Sequence, residues 1–63
     1  MIIVSKSKYD VVSIMYVSTT ISMEDAKKRE IQEYGEPVLI DKKTDILKLD
    51  YGNFIIYITE VSN

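Results

Sequence analysis

Between Ser22 and Tyr34 the chain carries a single β-branched residue, Ile31, while on both sides of this segment β-branched residues dominate. That one interruption limits what 63 residues can become. Ile and Val supply 16 of the 63 residues; they are stiff at χ1 and pack well on a pleated surface, so the flanks read as strands. Ser22 suits an N-cap, and Glu24 and Asp25 stand in the first turn, where the helix dipole favours negative charge. Asp25 also occupies the capping-box position. Gly35 falls where a left-handed C-cap belongs, and Pro37 bars continuation. The spacing predicts one helix, Met23–Tyr34.

Five strands are expected around it. Met1–Ser5 and Tyr9 to about Thr19 form a hairpin across a polar turn, Lys6-Ser7-Lys8. After the helix come Val38–Asp41, Ile46–Tyr51 and Phe54–Val61. They are joined by Lys42-Lys43-Thr44-Asp45 and by the turn pair Gly52-Asn53. The expected fold is α+β, a single helix packed on a small, mainly antiparallel sheet in the order ββαβββ, as one compact domain over 1–63.

The apolar pattern asks for more cover than one helix supplies. Alternation puts Phe54, Ile56 and Ile58 on one face of the last strand and Ile55, Tyr57, Thr59 and Val61 on the other. It puts Val12, Ile14 and Tyr16 on one face of the second strand and Val11, Met15 and Val17 on the other. Both strands are apolar on both sides, the mark of central strands rather than of a half-solvated sheet. On the helix, Met23, Ala26, Ile31 and Tyr34 share an arc of about 140°. Lys27 and Glu30 fall inside that arc, either snorkelling at its edges or forming a polar point within the contact. A second copy of the chain, as a homodimer or higher oligomer, is the expected cover for the remaining face.

Composition removes most chemistry. The chain has no Cys, no His and no Trp, so it offers no disulfide, no thiolate or imidazole metal site and no His-based triad. Its two glycines, Gly35 and Gly52, are used by a helix end and a turn, which leaves no phosphate loop. Asp41 and Asp45 flank Lys42-Lys43 and read as turn residues rather than metal ligands. The hydroxyl cluster Ser18-Thr19-Thr20 precedes the helix cap and lacks a paired base. The expectation is a non-enzyme with no cofactor and no metal.

Eight basic and ten acidic side chains give a formal charge of −2, without the basic excess that displaces counterions from nucleic acid. Lys6, Lys8, Lys27, Lys28 and Arg29 are the candidates for a dimeric nucleic-acid regulator. The helical three are expected instead to pair as Glu24–Lys28, Asp25–Arg29 and Arg29–Glu33. No apolar run approaches a membrane span or a signal segment, and a cytoplasmic protein is expected. Five tyrosines in a chain without basic background suit a protein contact better than base stacking.

The run Gly35-Glu36-Pro37-Val38-Leu39-Ile40 after the helix resembles, over six residues, the helix-to-hairpin segment of small antitoxins of the Phd type. The short length, the Ile/Lys/Tyr bias and the missing catalytic residues are similar to small accessory proteins of phages and other mobile elements. That resemblance implies an inhibitor or accessory protein that blocks one host protein by contact, or one that captures a small ligand. The residues expected to bind a partner are Met15, Val17, Tyr51, Tyr57 and Val61. The alternatives are the nucleic-acid regulator and capture of a nucleotide at a dimer seam.

Overall fold

The computed structural model describes residues 1–62. The strands are β1 (Ile2–Lys8), β2 (Val11–Ser18), β3 (Leu39–Lys42), β4 (Ile46–Asp50) and β5 (Ile55–Glu60), and the helix is α1 (Met23–Tyr34), giving the order ββαβββ. All five strands pair antiparallel in one open sheet, in the spatial order β2-β1-β5-β4-β3.

The helix begins and ends as its sequence requires. Ser22 Oγ accepts from the Asp25 backbone N–H at 3.1 Å, and the Asp25 carboxylate accepts from the Ser22 N–H at 3.3 Å, a complete capping box. At the other end Gly35 takes φ +84° and donates its N–H to the Ile31 carbonyl at 2.8 Å. Twelve residues make a rod of about 18 Å, and five strands span about 19 Å from outer strand to outer strand. The helix therefore carries the chain from one edge, β2, to the opposite edge, β3, across the face of the sheet.

The core lies between the helix and that face. It consists of Ile2 and Val4 from β1, Ile56 and Ile58 from β5, Leu47 and Leu49 from β4, and Ala26 from α1. The faces of β4 and β5 are those the alternation predicts. The β1–β5 pairing, Ile2↔Glu60 through Ser7↔Ile55, joins the two ends of the chain in the middle of the sheet.

Two expectations about the first hairpin are corrected. Lys6-Ser7-Lys8 is not the turn: β1 runs through it, and the chain reverses at Tyr9-Asp10, with φ of +52° and +62°. Positive φ at both central residues marks the hairpin turn whose twist matches the flanking strands. The sequence hides it because neither residue is Gly or Asn. The second strand is also an edge strand rather than a central one. Its two-sided apolar pattern arises in part from a β-bulge. Val4 pairs with Tyr16 and Ser5 with Ile14, so Met15 is the extra residue. Tyr16 joins Ile2 and Val4 on the helix side. Val12, Ile14 and Val17 share the opposite face, and strict alternation across Met15 misassigns them.

Candidate interaction surface

The helix seats a carboxylate inside the core. Glu30 is only 3% exposed, buried more deeply than Ile31 beside it. Burying a carboxylate is costly unless it is hydrogen-bonded. Here the Tyr16 hydroxyl donates to Glu30 Oε2 at 2.9 Å, and the Arg29 guanidinium lies 5.1 Å from the Tyr16 ring centroid. Glu30 is thus the polar point within the helix–sheet contact. Lys27 keeps to the edge, 3.8 Å from Glu24. The three expected i,i+4 ion pairs are not formed among the described residues: Arg29 turns to Tyr16 instead. Burial, reinforced by the Glu30 hydrogen bond, pushes the Tyr16 phenol up to about 12. A shallow cleft of about 580 Å³ lies beside this pair, between Met15 on the bulge and Glu33 and Tyr34 on the helix. The hydroxyl and the buried carboxylate that line it are bonded to each other.

A second cluster pins the other end of the helix. Tyr51 stacks on Phe54 at 4.8 Å between centroids, and Tyr34 meets Phe54 edge-on at 5.4 Å. The Tyr51 hydroxyl donates to the Gly35 carbonyl at 2.8 Å, and burial raises its phenol above the ordinary range. Lys6 Nζ sits 4.6 Å from the Phe54 centroid and 5.5 Å from that of Tyr34.

These contacts decide where the candidate residues lie. Tyr51 belongs to the aromatic clamp, and Met15 lines the Glu30 cleft. Val17 and Tyr57 share the sheet face away from the helix, by their pairing with Ile3 and Ser5. Val61 follows β5 and donates its N–H to the Met1 carbonyl at 2.8 Å. The five do not form one patch. The basic candidates are also dispersed: Lys6 lies over the clamp, Lys8 over the Tyr9 ring at 5.4 Å, Lys27 beside Glu24 and Arg29 over Tyr16, while Lys28 is exposed.

What the structure leaves open is β2 and the face beside it. Val12 and Ile14 are 65% and 66% exposed, and Val11, Met15 and Val17 are exposed with them. The strand is eight residues long, carries no charge, and among the described residues pairs on one side only, with β1. A long, uncharged, apolar edge is a template for another strand. The other edge is blunted by contrast: β3 has four residues, two of them Asp41 and Lys42. At the tip of the β1–β2 hairpin, Tyr9 is 84% exposed and held at positive φ. The sequence offered Tyr9 only as one of five tyrosines suited to a protein contact, and the residues expected to bind a partner left out Val12 and Ile14. Their one legible signal was the absence of charge from Val11 to Ser18. No protein-family model, curated protein or solved structure matches this chain.

Proposed function

We propose that this protein is a non-enzymatic binding protein that takes an extended segment of a partner polypeptide along β2 and acts by occluding it. The observation that carries this reading is the free β2 edge, eight uncharged residues with unpaired backbone groups beside an exposed tyrosine. Strand addition draws its affinity from main-chain hydrogen bonds and its specificity from alternate side chains. Tyr9 supplies the aromatic anchor that such contacts favour, and its backbone strain of ~1 kcal/mol or more is of the kind that persists where it serves a function. The bulge at Met15 opposes indiscriminate pairing by interrupting the edge. An inhibitor or accessory role of the kind carried by mobile elements fits so small a device.

The test is affinity capture from cell lysate with matched variants. Of the neighbours Val12 and Ser13, one N–H points to β1 and the other outward; proline at the outward one is expected to leave the circular dichroism spectrum unchanged. That variant and Tyr9→Ala are expected to lose the partner the wild-type chain retains. A partner held equally well by both variants removes β2 as the binding edge.

A further inference from the structure

The sheet face away from the helix bears a second apolar surface. Pairing register places Ile3, Val12, Ile14, Val17, Ile55 and Tyr57 there, gathered toward the β2 side. The β3–β4 side of the same face is mixed: Lys48, Asp41 and Asp50 lie there beside the exposed Leu39 and Ile46. We propose that a second copy of this chain covers this face, making a two-fold sandwich of sheets, and that the edge of β2 stays free in each copy.

Three observations select a second copy as the occupant. The first is the arrangement of polarity. A two-fold axis lying across the strands stacks β2 on β2 and β3 on β3 of the two copies. The apolar β2 side then meets itself, and the charged residues of β3 and β4 fall toward the other side of the contact, beside Leu39 and Ile46. That side carries both signs, with Lys48 opposite Asp41 in the β3–β4 register. The second is area. Five strands about 4.8 Å apart and about 17 Å long present a footprint such that two faces together remove on the order of 1,000 Å² from water, the threshold for specific association. The third is need. Among the described residues seven apolar side chains are buried, all between the helix and one face, in a chain of a size that is marginal alone.

This inference does not depend on the partner-binding role of β2, and its test separates the two. Light scattering on the wild-type chain is expected to give twice the monomer mass of 7.3 kDa, with an unfolding midpoint that rises with concentration. Ile14→Lys alters a side chain that is 66% exposed, so the fold does not need it. It is expected to give a monomer with an unchanged circular dichroism spectrum and a midpoint independent of concentration. Val11→Lys places the same charge on the same strand but on the helix side, by its pairing with Lys8, and is expected to remain dimeric. The edge proline variant is also expected to remain dimeric. A wild-type chain that is monomeric at near-millimolar concentration overturns the proposal. So does an Ile14→Lys protein that keeps the dimer mass, or a Val11→Lys protein that loses it.

Discussion

Glu30 sits where an aliphatic residue would be expected, and its neighbours show why it is tolerated. The carboxylate is almost completely enclosed and accepts one hydrogen bond, from Tyr16 across the helix–sheet contact. A hydrogen bond to a charged group contributes about 1.5–3 kcal/mol net, and an orphaned partner costs a similar amount. Glu30→Ala removes the acceptor and leaves the Tyr16 hydroxyl without it, so urea denaturation is expected to show a loss of about 2 kcal/mol. Glu30→Gln keeps an acceptor and is expected to lose less than half of that. The same pair sets a pH dependence. The Tyr16 phenol is raised from 10 to about 12. A folded-state value above the unfolded one means that the unfolded chain releases its proton first. The stabilising contribution of neutral Tyr16 is therefore complete below pH 10 and is lost as pH rises toward 12. Tyrosinate absorbance should show two late-ionising groups, Tyr16 and Tyr51, of which Tyr16→Phe removes one, and a Tyr16→Phe protein that keeps the full late amplitude would contradict the assignment.

Among the elements, the β1–β2 hairpin departs most from what its residues suggest. Tyr9 and Asp10 hold positive φ without being glycine or asparagine. Replacing both, as Tyr9→Asn with Asp10→Gly, supplies the dipeptide such a turn prefers. Tyr9 is largely exposed, with the Lys8 ammonium over its ring, so the double variant is expected to raise stability by about 1 kcal/mol by relieving the left-handed backbone. It should at the same time weaken partner capture, since it removes the exposed ring. A destabilised variant would show that the turn is held by contacts other than its own backbone. The helix was legible to the residue, because capping is local chemistry: Ser22, Asp25 and Gly35 act on backbone groups within one turn. The faces of β4 and β5 were legible for a similar reason, since a regular strand alternates without help. Alternation failed in β2, where one inserted residue at Met15 exchanges the faces on either side of it.

At the scale of the molecule, stability rests on a small core around β5, the central strand. Ile58 is completely buried, in register with Val4 on one side and Leu47 on the other. Truncation of such a residue costs about 2–5 kcal/mol, comparable with the whole stability of a chain this small. Ile58→Ala is expected to be largely unfolded at 25 °C by circular dichroism, and a well-folded variant would mean that the core around β5 carries less of the stability than its burial implies. The amino-acid sequence by itself determined the number and type of elements, both ends of the helix, the turn at Gly52-Asn53, and the excess of apolar surface over what one helix covers. Each is set by interactions among residues a few positions apart. Tertiary structure alone decided that β1 and β5, from opposite ends of the chain, pair at the centre. It also decided that β2 lies at an edge, that Met15 bulges, and that Tyr16 reaches Glu30. Strand pairing is a choice among distant partners with similar side chains, and only the combined burial of Ile2, Val4, Ile56 and Ile58 beneath one helix distinguishes this order from the others. That choice is also what leaves an uncharged strand exposed, and with it the surface on which the function is proposed.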